Sequence, residues 1–350
     1  MKEGTGLAAS EDAEQIRRLA TGYIPAALLG VVIELGIPDL LAEKTKPVSD
    51  LAAATHTNDH ALYRMLRTLS SFGIFTESSG RRFSLTSAGR YLRSDVPDSL
   101  RGYMRWVTNS FLFQNYADLM YSAQTGQPAV DHLFGKPLFS HLQTSPELSR
   151  IFNDGMTSFS QMVSTALLQA YDFSGIKVIA DLGGGQGALL AAILQKYPSM
   201  QGLLLEQEYV LEEARKHFQE SGLAGRSGTM AVDFFQSVPT GADAYLMKSI
   251  IHDWDDQRAG VILKNCREAL RNVEPARLIL VEAIVPEGSD PHMSKLTDMQ
   301  MLVLAGGRER TREEFQQLLA RSGFRMTAVL PTRSFVSVVE AVPEQLSSRP

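Results

Sequence analysis

Three side chains in the second half of this 350-residue sequence are placed to move a proton. His252 stands in "YLMKSIIHDWDD", just after an apolar run. Glu282 ends another such run, "LILVEA". Glu309 lies in "AGGRERTREEF", a glycine loop ahead of a helical pattern. A phenol holds its proton with a pKa of about 10, and a neutral imidazole within hydrogen-bond reach removes it near neutral pH. Carboxylates beside that imidazole fix one tautomer and stabilise the imidazolium that forms. The expected roles are His252 as general base with Glu282 and Glu309 flanking it. Most of the seven histidines fall in helical surface patterns and need no function. No His/Asp/Glu grouping along the chain reads as a metal site, and no metal is expected.

A second stretch, "VIADLGGGQGALLAAIL" at 178–194, is built to let a ligand approach the backbone. Gly183, Gly185 and Ala188 satisfy the loose pattern G-x-G-x-x-G/A. No Gly-Lys-Ser/Thr follows, so it is not a phosphate-binding P-loop. Such a turn sits at the carboxyl end of the first strand of an open α/β sheet, where ligands bind. Asp181, directly before the glycines, would repel a pyrophosphate but accept hydrogen bonds from an ammonium group. Glu206 ends a second strand, "LLLEQ", where an acid binds ribose hydroxyls. Asp233 in "AVDFF" ends a third. It could accept from an adenine amino group while Phe234 packs on the base. Ribose, adenine and a cationic amino-acid tail together describe S-adenosylmethionine. Its sulfonium already activates the methyl group, so in-line placement is what the protein has left to supply.

The elements that must position these residues are legible in outline. From about residue 175, strand candidates 177–181, 202–206, 228–233, 243–248 and 277–283 alternate with helical stretches 187–196, 209–220 and 257–271. That alternation argues a parallel sheet with helices on both faces. After a helix at 311–322, "FRMTAVLPTRSFVSVVE" gives two more strands whose short turn makes the last pair antiparallel. Cys266, the single cysteine, lies on a helical pattern with Ile262, Ala269 and Leu270 and is expected as a buried small hydrophobe.

Residues 11–165 read as almost wholly helical. "VSDLAAAT" starts a helix with Ser49 as expected N-cap. "NDHALYRMLRTLSSFG" puts Leu62, Met65, Leu66 and Leu69 on one face and ends at Gly73. "GIFTESSGRRFSLTSAG" then reads as a hairpin. Helix, helix, hairpin is a winged-helix pattern, which binds DNA or merely packs. Arg64, Arg67, Arg81 and Arg82 read as a solvated face, because the formal net charge of −5 gives no general attraction to nucleic acid or anionic membrane. "IPAALLGVVIELGIPDLLA" is broken by Pro25, Glu34, Pro38 and Asp39, too interrupted for a membrane span and suited to burial within the protein or against a second subunit. The N-terminus lacks an apolar signal core, and the protein is expected to be cytoplasmic. Residues 1–10 and 342–350 are expected as flexible ends.

"DLGGGQG", "DFF", "LMKSIIHDWDD", "VEAIVPE" and "GGRERT" occur in the order and approximate spacing of the caffeic-acid-type small-molecule O-methyltransferases, in their bacterial natural-product branch. "LAAAT…LYRMLRTLSSFGIFTE…FSLTSAGRYL" is similar to their winged-helix dimerisation domain. The resemblance covers nearly the whole chain. It implies a Rossmann-like, doubly wound α/β domain with an antiparallel last strand, preceded by an all-helical winged-helix dimerisation domain. The expected division is 11–100 for dimerisation, 101–170 for a helical segment lining the substrate, and 171–345 for the S-adenosylmethionine domain. It implies that Lys248 joins Asp181, Gly183, Gly185, Glu206, Asp233 and Phe234 around the cofactor. It also implies that Phe152, Met156 and Met301 hold a substrate ring, and that the protein is a homodimer methylating a phenolic hydroxyl without metal. Two departures stand out. The family's Asp-Leu-Pro is "EQE" at 206–208, and the loop before "GGRER" is short, which disfavours phenylpropanoid-like substrates. Non-methylating chemistry on the same scaffold, a DNA-binding regulator and a NAD-dependent dehydrogenase are the alternative readings.

Overall fold

The computed structural model describes residues 11–344. Residues 1–10 and 345–350, most of the two ends expected to be flexible, lie outside the described residues. Val342 and Pro343 instead complete the last strand. The chain forms two compact units, one up to Phe113 and the other from Gln114.

The first unit opens with helices Glu11–Thr21 and Tyr23–Glu34, separated at Gly22. Helices Val48–Thr55 and Asp59–Ser71 follow, and Asn58 caps the second through Ala61 N at 2.9 Å. Ser49 is not the N-cap expected of the first. The helix begins at Val48 with Pro47 before it, because Val48 N already donates to Arg81 O at 3.0 Å and needs no side-chain cap. Nor is the unit all helical. Strand β1 (Lys46–Pro47) pairs with the expected hairpin of β2 (Phe75–Ser78) and β3 (Arg82–Leu85), in the order β1-β3-β2. Leu62, Leu66 and Leu69 recur at helical spacing and are buried with Leu51, Phe75 and Phe83. Arg67 and Arg81 lie over the Tyr63 ring at 5.3 and 4.6 Å.

The second unit is built on seven strands: β4 (Val178–Leu182), β5 (Gln201–Glu206), β6 (Ser227–Ala231), β7 (Ala244–Lys248), β8 (Arg277–Ala283), β9 (Phe324–Pro331) and β10 (Val336–Pro343). Their order is β6-β5-β4-β7-β8-β10-β9. Pairing is parallel from β6 to β8, and β10 runs antiparallel between β8 and β9. The strand order reverses between β4 and β7, so a crevice opens at their carboxyl ends, the place where open α/β sheets bind ligands. Helix Asp256–Ala269 buries Ala259, Ile262, Leu263 and Cys266 against the sheet's core, as the sequence pattern required. Helix Arg312–Arg321 starts from a capping box between Thr311 and Glu314.

Candidate active site

The glycine turn carries Asp181 beneath it. Gly183, Gly185 and Gly187 all take positive φ (68°, 58° and 78°), a backbone that side-chain-bearing residues rarely adopt. A Cβ at Gly184 would lie 2.3 Å from Asp181 Oδ2, so the bare backbone there is what lets the carboxylate sit under the turn. Asp181 is fully buried, and neither of its carboxylate oxygens has a hydrogen-bond partner. Burial pushes its pKa up to about 7, with Lys248 opposing that rise and Glu206 adding to it. An orphaned buried carboxylate costs free energy unless a donor meets it, and an ammonium group is the donor that suits it.

Glu206 ends β5 and folds back over the same turn. Its Oε2 accepts from Gly185 N at 3.0 Å and its Oε1 from Gln207 N at 2.8 Å. A carboxylate offers roughly four lone-pair directions, so a vicinal diol can still be accommodated. Burial raises the Glu206 pKa, and the two N–H donors lower it. Asp233 is placed differently from expectation. Strand β6 stops at Ala231, and Asp233 is exposed in the turn beyond it. Its carboxylate there accepts from Phe235 N and Gln236 Nε2, both at 3.0 Å. Asn265 Nδ2 fastens this turn by donating to Phe234 O at 2.9 Å and Phe235 O at 3.1 Å.

The proposed base and its acids come together from three separate segments. His252 lies in the short turn Ile251–Asp253 after β7. Its Nδ1 is 3.0 Å from Glu309 Oε1 and 3.8 Å from Glu282 Oε2. Glu282 comes from the end of β8, and its Oε1 accepts from Ile250 N at 3.1 Å and Ile251 N at 2.9 Å, which fixes the histidine's turn against the strand. Glu309 arrives on the glycine loop, whose Arg308 N donates to His252 O at 2.8 Å. A Cβ at Gly307 would lie 1.9 Å from that same carbonyl, so only glycine permits this approach. Asp298 Oδ1 accepts from Glu309 N at 2.9 Å and holds the loop from the other side.

Two residues at this centre carry no separate signal in the sequence. Asp253 Oδ1 lies 3.6 Å from His252 Nε2; its only mark in the sequence is its adjacency to the histidine. Arg310 is fully buried. It donates to Ile251 O at 3.0 Å, to Trp254 O at 2.8 Å and to Asp256 Oδ1, tying both ends of the His252 turn. Burial opposes a charge on His252, but the carboxylates of Glu309, Glu282 and Asp253 outweigh it and push the imidazole pKa up to about 10. The same burial pushes Glu282 up to about 7 and Asp253 up to about 6. The cluster therefore favours the charged ring, and a base at this position must first give up a proton. Clustered acids stabilise the charged form more than burial penalises it.

Lys248, the last residue of β7, bridges the two halves of the crevice. It feels Asp181 on one side and Glu282 and Asp253 on the other, while burial lowers its pKa. Its ammonium lies 5.3 Å from the Phe159 ring centroid. Five acids (Asp181, Glu206, Glu282, Glu309 and Asp253) thus face two cations, Lys248 and His252. This excess suits a positively charged ligand, and the residues present fit S-adenosylmethionine.

Phe152 and Met156 lie half-buried on helix Pro146–Ala170, four residues apart and so on one face. Phe152 meets Phe139 edge-on at 6.3 Å, and Phe139 stacks on Trp254 at 6.4 Å, which connects this helix to the histidine's loop. Met301 is half-buried on helix Met293–Leu304, which leads into the loop carrying Glu309. The His252, Glu282 and Glu309 donor atoms all lie within 4.8 Å of one another. The sequence places these three around one proton but shows no metal-ion grouping, and their mutual approach in the fold corrects that second reading.

Residues 116–325 match the family described as the O-methyltransferase domain, and residues 17–95 match the O-methyltransferase dimerisation domain. The chain is similar to phenazine O-methyltransferase PhzM of Lysobacter antibioticus, with 42% identity over 328 residues, 93% of this chain and 95% of that protein. The solved structure of LaPhzM superposes with a TM-score of 0.88 at 40% identity, covering 95% of this chain and 99% of that one. NcsB1, an O-methyltransferase from neocarzinostatin biosynthesis solved with S-adenosylmethionine and 2-hydroxy-5-methyl naphthoic acid, is 30% identical. Its TM-score is 0.79, over 94% of this chain and 98% of that chain.

Proposed function

We propose, from the premise that this chain belongs to the S-adenosylmethionine-dependent O-methyltransferases, that it methylates a phenolic hydroxyl of a small aromatic secondary metabolite with His252 as general base. S-adenosylmethionine is the cofactor, and when bound it supplies an electrophilic methyl group. The observation that carries the proposal is the His252–Glu309 pair, with Glu282 behind it.

His252 presents Nε2 to the acceptor because Nδ1 is engaged by Glu309. Only the ring that has first lost its Nε2 proton to solvent takes the phenolic proton there, and Glu309 and Glu282 stabilise the imidazolium that forms again. Asp181 and Lys248 line the cofactor's polar end. Glu206 offers its remaining lone pairs to the ribose, and Phe234, with Asp233, faces the base. Phe152, Met156 and Met301 orient the acceptor ring for in-line attack, a contribution of proximity. Relatives named for a phenazine and solved with a naphthoic acid direct the choice of acceptor toward fused aromatic rings bearing a hydroxyl. The division into 11–100, 101–170 and 171–345, the winged-helix character of the first part, a homodimer and a cytoplasmic location belong to the same proposal. Non-methylating chemistry and DNA-binding regulation are not favoured by membership of this family.

Labelled S-adenosylmethionine offered with phenols, hydroxyquinones and fused-ring acceptors tests the reading, with His252→Ala in parallel. Transfer by the wild type, reduced at least a hundredfold in the variant while cofactor binding persists, is the expected result. Undiminished transfer by His252→Ala would remove the histidine from the mechanism.

A further inference from the structure

We propose that His252, Glu282 and Glu309 also form a site for a divalent transition-metal ion, Zn2+ in particular, which replaces the proton on Nδ1 and silences the base. Its inhibitory half rests on the reading of His252 as base; the site itself does not.

One imidazole and two carboxylates are an ordinary Zn2+ donor set. With bonds of about 2.0–2.1 Å, tetrahedral ligands stand about 3.3–3.4 Å apart. The two separations from His252 Nδ1, 3.0 Å to Glu309 and 3.8 Å to Glu282, bracket that value. Independently of spacing, Glu282 Oε2 and Glu309 Oε2 are both buried without a hydrogen-bond partner, on side chains 0% and 1% exposed. Buried carboxylate oxygens left bare are costly, and a cation between them would satisfy both. The ligands are also pre-positioned from behind. Ile250 and Ile251 N–H groups hold Glu282, and Asp298 holds the Glu309 backbone. Supporting contacts of this kind fix ligand orientation in metal centres. Lys248 is the cation that an incoming ion meets at this cluster, and Asp253 offsets it.

The chemical consequence follows from the imidazole itself. A neutral ring bound to metal through Nδ1 carries its one proton on Nε2. Nε2 then has no lone pair with which to accept a phenolic proton. The metal and the catalytic proton transfer are mutually exclusive at one ring.

Titration of the cofactor-free protein with Co2+ tests the site directly through the visible absorption of tetrahedral cobalt. One equivalent is expected to bind, to be displaced by Zn2+, to be lost in His252→Ala and to weaken at least tenfold in Glu309→Gln. Calorimetric binding of S-adenosylmethionine checks that each variant is folded. Cys266→Ala should leave the cobalt band unchanged, since that thiol is buried and burial pushes its pKa up to about 12. Absence of a band up to millimolar Co2+, or a band that survives in His252→Ala, overturns the proposal. In a second arm, Zn2+ should abolish methyl transfer and a chelator restore it; full activity with metal bound overturns the inhibitory half. Cobalt binding without methylation of any acceptor would uphold the site and fail the functional reading. Methylation without a cobalt band would do the reverse.

Discussion

His252 and Asp181 show how burial sets the chemistry of single residues here. For His252 the carboxylates win over burial and hold the imidazole pKa at about 10, above the ordinary value of about 6.5. A base must be unprotonated to act, so activity is lost as pH falls below the folded value. In the free enzyme, kcat/KM should therefore rise with pH through a limb well above 6.5. Glu309→Gln removes the largest of the effects that raise this pKa, so the limb should move to lower pH while the maximal rate falls. A pH profile unmoved by that substitution would separate Glu309 from the base. For Asp181 burial wins and the carboxyl pKa is about 7. The folded chain keeps that proton between the unfolded value, near 4, and 7, so stability falls with rising pH across this window and stays lost above it. Asp181→Asn should accordingly raise Tm at pH 8 and weaken S-adenosylmethionine binding at least tenfold, because the neutral amide no longer attracts an ammonium group. Melting curves and calorimetry read the two effects separately.

Among the elements, the loop at 306–310 is as decisive as the glycine turn. Arg310 is wholly buried, yet it pairs with a half-buried Asp256 and two backbone carbonyls. Arg310→Met would leave those acceptors short of a donor, at a cost of about 3 kcal/mol. It would also loosen the turn that aims His252. A lower Tm with kcat falling more than KM rises is the expected signature. Gly307→Ala should be as damaging for a different reason, since its Cβ would overlap the His252 carbonyl and displace Glu309. Strands β4, β5, β7 and β8 were legible to within one or two residues, because an apolar run ending in a charged residue or a glycine turn is a strong local pattern. So was the approach of His252 and Glu282 at one rim, which parallel topology imposes on the ends of β7 and β8, whereas Glu309 reaches it on the loop after helix Met293–Leu304. Asp253 and Arg310 were not legible. In "HDWDD" and "GGRERT" runs of charge look like solvated surface, and only tertiary folding decides which member turns inward. Asp233 stands two residues past the strand because the β5–β6 ladder ends with Val232 N on Glu206 O, and the chain then turns, with the Asp233 carboxylate accepting from Phe235 N.

The molecule as a whole leaves its first two helices poorly covered. Ile16, Leu19, Tyr23 and Ile24 are 66, 73, 64 and 41% exposed, and residues Glu11–Glu34 are long and apolar enough, by length and composition, to cross a membrane. The sequence argued against a span from Pro25 and the acids downstream. The structure adds that Gly22 divides this stretch into two helices, the first carrying Glu11, Asp12, Glu14, Arg17 and Arg18. Glu14 pairs with both arginines on that helix's surface. Five charges within two turns are expensive in hydrocarbon, whereas an amphipathic helix beside an apolar one suits a protein interface with a charged rim. This region overlaps the dimerisation match at 17–95, and in the homodimer proposed above a second copy of the chain would cover the bare face. Light scattering behind a sizing column should therefore report twice the 38.5 kDa of one chain. Leu19→Glu combined with Tyr23→Glu places two buried charges at the interface without touching the core of either unit, and should shift the mass to that of a monomer. If the variant stays dimeric, the exposed face serves something else. Wild-type protein that floats with lipid vesicles would name the membrane as its occupant.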